Sequence, residues 1–111
     1  MGLITSPFLF LSGSGNSSLF TFYFESLSTD SKRSNYYATV DFSNSYLRLP
    51  NTLEYAGATI NVYVRSTSAY GLKVTAGYLL NKTSYTIAVG QMVELVCVST
   101  ETTFIGWYLK E

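Results

Sequence analysis

From Ile60 to the C-terminus, apolar residues return at every second position in short runs broken by Gly, Asn or Ser. Val62 and Val64, Leu72 and Val74, Ile87 and Val89, then Val93, Leu95 and Cys97 all keep this period. A period of two puts alternate side chains on one face of an extended strand. The first half carries the same signal in residues 19–24, where Phe20, Phe22 and Phe24 share one parity. Strands are therefore expected over 19–24, 36–42, 46–50, 59–65, 72–76, 85–89, 92–98 and 104–109. Pro50 and Asn51 end the third of these, since proline cannot donate to a ladder. Residues 12–18, rich in Gly, Ser and Asn, read as a flexible loop, and 26–35 as a polar loop. Gly90-Gln91 reads as a hairpin connection. No stretch of helix length keeps a 3.6-residue period, so essentially no helix is expected. Strands recurring at roughly eight to twelve residues predict an all-β, antiparallel β-sandwich or barrel-like fold.

Composition narrows the function more than the fold. The chain has 111 residues and a mass of 12.3 kDa, the size of one domain. Charged residues are 13% of it, about half the usual share, and seven of each sign cancel to zero. Such a surface carries no long-range field to draw in DNA, RNA or anionic lipid. Little repulsion opposes self-association, and an aromatic share of 16% favours strands and contact surfaces. Residues 1–35 are expected to form an N-terminal arm or strand for attachment or oligomerisation, and 36–111 the β-module. The start of the chain lacks the basic region of a signal peptide, and Pro7 breaks its apolar part. That part is also far shorter than the roughly 20 residues of a membrane span. Gly2 with Ser6 fits the short myristoylation pattern, but an apolar strand packing on this chain or a neighbour is the preferred reading.

The side chains of catalysis are sparse. There is no histidine, which removes the commonest general base, the Ser-His and Cys-His arrangements and His-based zinc sites. Cys97 is the only cysteine, so no intrachain disulfide can form; in an apolar run it reads as a small buried hydrophobe. The seven carboxylates are scattered. Asp41 and Glu54 are the pair that folding could bring to the roughly 5 to 10 Å of a glycosidase. No catalytic residue, metal ligand or cofactor is expected. Asn16-Ser17-Ser18 and Asn81-Lys82-Thr83 match the N-glycosylation pattern, as Ser/Thr-rich chains often do. Tyr36, Tyr46, Tyr55, Tyr70, Tyr78 and Tyr85 lie at predicted loops or strand ends, where rings can fill sheet edges or stack on sugars. Tyr55, Tyr70 and Tyr78 are the candidates for glycan or partner contact.

One ordered series of motifs runs through the last two-thirds of the chain. It comprises Tyr46-Leu47-Arg48-Leu49-Pro50, then Gly57, Ile60-Asn61-Val62-Tyr63-Val64-Arg65 and Leu72-Lys73-Val74. Tyr85-Thr86-Ile87, Gly90-Gln91-Met92-Val93-Glu94-Leu95 and Trp107-Tyr108-Leu109 complete it. In order and spacing this resembles a β-rich module of bacteriophage fibres and related virion proteins. It departs from that module where Ser99-Thr100-Glu101-Thr102-Thr103 replaces the usual Asp-Gly-Thr-Asn loop before the closing Trp. The resemblance implies a non-enzymatic virion structural protein: a fibre, head-fibre or capsid-decorating subunit, a homotrimer contacting capsid or tail proteins and, in some members, host-surface glycans. On that expectation Phe8, Phe10, Phe20, Phe22 and Phe24 would be buried between neighbouring chains. The alternative is a carbohydrate-binding β-sandwich module using its exposed tyrosines.

Overall fold

The structure, a computed structural model, describes residues 8–16, 19–23, 33–49, 55–74, 79–99 and 105–111. They form ten strands: β1 (Phe8–Phe10), β2 (Ser12–Asn16), β3 (Leu19–Tyr23), β4 (Arg33–Ala38), β5 (Ser45–Arg48), β6 (Thr59–Val64), β7 (Leu72–Val74), β8 (Tyr85–Ile87), β9 (Met92–Ser99) and β10 (Ile105–Lys110). No α-helix occurs among the described residues. The strands make two five-stranded sheets, sheet I in the order β1-β4-β6-β9-β10 and sheet II in the order β2-β3-β5-β7-β8.

The expectation of an antiparallel fold is corrected here. Four ladders are antiparallel, but β1·β4, β4·β6, β3·β5 and β5·β7 are parallel. The cause is the path of the chain. From β3 to β7 each successive strand lies in the other sheet, so β5 links β4 to its neighbour β6, and β4 links β3 to its neighbour β5. Parallel neighbours need a crossover, and here strands of the opposite sheet supply it. The turn at Gly90 illustrates the same point. Gln91 N–H donates to the Ala88 carbonyl at 2.9 Å, and Gly90 takes a φ of 81°, a conformation suited to glycine. The turn is tight as expected, yet it joins β8 of sheet II to β9 of sheet I rather than closing a hairpin.

A second correction concerns the loop expected over 12–18, of which Ser17 and Ser18 lie outside the described residues. Ser12–Asn16 is an edge strand paired with β3, with Gly13 opposite Phe22 and Gly15 opposite Phe20. A Cβ at Gly13 would collide with the Phe20 ring, so the bare backbone lets that ring lie against the edge. β1, β2 and β3, from the part expected as an N-terminal arm or strand, lie in the two sheets.

Alternation decides the core. In β6, Ile60, Val62 and Val64 are fully buried while Thr59, Asn61 and Tyr63 stay half-buried. Leu47, Leu72, Val74 and Ile87 from sheet II join Tyr36, Leu95, Cys97, Trp107 and Leu109 from sheet I in one cluster. Buried polar groups are matched: Ser68 Oγ accepts the Val40 N–H at 3.0 Å, and Ser45 Oγ donates to the Phe42 carbonyl at 2.7 Å. Among the described residues no buried side-chain polar atom lacks a partner.

The segment before β8 straps the outer edge of β10. Leu79 bridges Trp107, and Leu80 N–H donates to the Trp107 carbonyl at 2.9 Å. The Asn81 side chain then behaves like one more strand residue: its Nδ2 donates to the Leu109 carbonyl at 2.9 Å and its Oδ1 accepts the Leu109 N–H at 3.0 Å. Lys82 Nζ reaches Glu111 Oε1 at 2.8 Å. That hydrogen bond, opposed by a smaller desolvation effect, holds the Lys82 ammonium above its ordinary value of 10.5. A side chain at Gly106 would overlap Leu80, so glycine at this point of β10 is what lets the strap lie close.

Candidate functional site

The outer face of sheet I is the most distinctive surface of the molecule. Register alone assembles it. Phe10 pairs with Tyr37, Tyr37 with Tyr63 and Tyr63 with Met92, so four outward side chains form one row across four strands. Phe10 is 68% exposed and Met92 51%; Tyr37 and Tyr63 between them are half-buried by their neighbours. The Phe10 and Tyr37 rings meet edge-on, with centroids 6.0 Å apart and planes at 75°. Tyr37 and Tyr63 lie 5.1 Å apart at 50°. The Arg65 guanidinium sits 5.3 Å from the Tyr37 centroid, covering part of that ring with a cation attracted to its π-face.

A polar row runs beside the aromatic one. Asn35, Asn61, Glu94 and Lys110 occupy successive register positions. Asn61 Nδ2 donates to Asn35 Oδ1 at 2.8 Å, and Glu94 faces Lys110 at 3.5 Å. The charges on this row are therefore already paired, leaving the aromatic row as the part with unspent contact area. Beyond it, Tyr108 and Val98 are also exposed on β10 and β9. With side chains of about 150–250 Å² each for Phe and Tyr, the row offers on the order of a few hundred Å² of apolar surface. The largest apolar patch on an ordinary monomer is of this order, and such a patch is often functional.

The residues singled out from sequence fall in different places. Phe10 is on the row. Phe8 lies in β1, next to β4. Phe22 is 4% exposed and belongs to the core, while Phe20 packs against that core and against Phe22 and Phe42, at 5.1 and 5.2 Å. The expectation that Phe22 faces another chain is corrected accordingly, because its own sheet pair already covers it, whereas Phe20 stays half-buried beside it. Phe24 and Tyr78 lie outside the described residues. Tyr55 is half-buried on the core, 6.5 Å from Trp107, whereas Tyr70 is 46% exposed. Tyr36, placed with the strand-end rings, is fully buried. Cys97 is buried at 2%, and Asp41 is exposed; Glu54 lies outside the described residues. Among the described residues no three His, Cys, Asp or Glu side chains gather to hold a metal ion.

Tyr37, Tyr63 and Met92 were not among the candidates. Their signal was present: once Ile60, Val62 and Val64 point inward, Asn61, Tyr63 and Arg65 must point outward. What the sequence hides is which strands lie side by side, and only that places the three in one row. Comparison of the chain with family models, with curated proteins and with solved structures finds no match.

Proposed function

We propose that the chain is a non-enzymatic structural module that works by self-association, as a fibre, head-fibre or capsid-decorating subunit of a virion. The observation that carries the assembly part is the Phe10–Tyr37–Tyr63–Met92 row, an apolar stripe on the outside of a module whose core is otherwise complete. Low charge density supports it, since little repulsion opposes contact between copies. The virion assignment rests on the ordered motifs from Tyr46 to Leu109. On this reading the two sheets pack as a sandwich, and three copies bury the row around a threefold axis, cyclic closure being the usual way to satisfy such a surface.

A sugar-binding module is the weaker reading. The rings of the row tilt against one another by 75° and 50° rather than forming a flat platform, and Tyr55 is spent on Trp107. The two readings separate in one pair of experiments. Sedimentation of the chain, alone and as Phe10→Ser with Met92→Ser, should give a self-associated species that the double variant loses. Glycan-array binding by a protein that stays monomeric would favour the sugar reading instead.

A further inference from the structure

The strap on β10 points to an interaction surface distinct from the aromatic row. An edge strand exposes a ladder of backbone groups that another strand can pair with, and proteins normally block such edges. Among the described residues the block is a short segment: Leu79 bridges Trp107, Leu80 acts through its N–H and Asn81 through its side-chain amide. The groups they occupy, the Trp107 carbonyl and both the N–H and carbonyl of Leu109, are those through which β10 would pair with a further strand.

We propose that the segment from Leu79 to Asn81 is an edge lock, holding a pairing site that otherwise accepts β10 of a second copy. The argument for this occupant is the register. An antiparallel pair of β10 strands centred on Tyr108 places Trp107 opposite Leu109 in both directions, so the locked groups become the bonded ones. The same register sets Lys110 opposite Gly106 and Glu111 opposite Ile105, so no like charges meet. The contact is isologous and joins two copies of sheet I into one continuous sheet. It stands independently of the assembly reading, because it uses a strand edge rather than the outer face.

The lock also gives Asn81-Lys82-Thr83 a structural role. A glycan would be attached at Asn81 Nδ2, the atom that donates to the Leu109 carbonyl. Attachment there would replace one of the two Nδ2 hydrogens at the strand edge and leave the Oδ1 acceptor in place.

The test is amide exchange at Leu109 in Asn81→Ala beside the intact chain. In dilute solution the variant should exchange Leu109 at least tenfold faster. On concentration the exchange should slow again, with a rise in mass steeper than that of the intact chain. Placing Asn81→Ala on the Phe10→Ser, Met92→Ser background, beside that background alone, keeps this result separate from contacts made by the row. Unchanged exchange at Leu109, or fast exchange that concentration never restores, would overturn the proposal. Should Asn81→Ala lose its strand circular dichroism, the intact chain decides: Leu109 should exchange at least tenfold faster than Leu95, through local opening of the strap. Equal protection of the two would overturn it.

Discussion

The two sheets are built alike on their inner faces and differently on their outer ones. Inside, both present Leu, Val and Ile at alternate positions, and both feed one core. Outside, the central row of sheet II runs Ser14, Thr21, Tyr46, Lys73 and Thr86. Its single ring, Tyr46, has the Lys73 ammonium 5.5 Å from its centroid, and that lysine also reaches Asn44 at 3.4 Å. The corresponding row of sheet I is Phe10, Tyr37, Tyr63 and Met92. Hydroxyls and a lysine are content in water; an exposed phenylalanine and methionine gain by leaving it, at roughly 25 cal/mol per Å². Alternation within a strand fixes which side chains point outward and leaves the choice of residues there freer than in the core. On the proposed reading, the difference between the two outer rows reflects what lies outside the molecule.

The largest effects should come from the inner faces and ignore which sheet is struck. Trp107→Ala in sheet I should cost about 3–5 kcal/mol of stability, and Leu47→Ala in sheet II about 2–5 kcal/mol, by denaturant unfolding. Phe10→Ser, on the outer row, should stay within about 0.5 kcal/mol of the parent. An unfolding cost at Phe10 like that at Trp107 would break the distinction between inner and outer positions. The next effect sharpens the comparison between sheets. Phe10→Ser with Met92→Ser should weaken self-association at least tenfold, about 1.4 kcal/mol, whereas Thr21→Ala with Thr86→Ala on sheet II should leave it unchanged in sedimentation equilibrium.

Smaller effects test where the two sheets agree. Arg65→Gln and Lys73→Gln each remove a cation from a tyrosine ring, at 5.3 and 5.5 Å. Each should cost about 0.5–1 kcal/mol in thermal unfolding, and only the first should also alter association. The smallest effect is one of pH. A lysine whose folded value is raised contributes stability that is fully present below its unfolded value and disappears as pH rises through the folded one. The Lys82 contact with Glu111 should therefore persist unchanged across neutral pH and fade only above 10.5. Lys82→Met should remove this alkaline dependence, read as the loss of a melting-temperature difference between the two proteins.

Much of the fold was legible because alternation is a local property. Thr59–Val64, Met92–Ser99 and Ile105–Lys110 match the expected strands to within a residue at each end. Two things were not local. The Ser-Gly run of β2 has no apolar alternation; its strand form comes from pairing with β3, with the Phe20 ring against Gly13. The parallel ladders arise because the chain passes through the opposite sheet between neighbouring strands all the way from β1 to β7, which short connections do not announce. The candidate site follows the same logic. Phe10 was recognisable as an apolar residue near the start, but Phe22 has the same character and is buried. Tyr63 becomes part of a row only when β4 and β9 are known to flank β6. The Asn81 clamp spans 28 residues in sequence and left no trace beyond a glycosylation-like tripeptide.

Light scattering behind a sizing column, on the intact chain and on Phe10→Ser with Met92→Ser, tests the central claim most directly. The account predicts three times 12.3 kDa, about 37 kDa, for the intact chain and 12.3 kDa for the double variant. A monomeric intact chain, or an oligomer that the double variant leaves untouched, would contradict it.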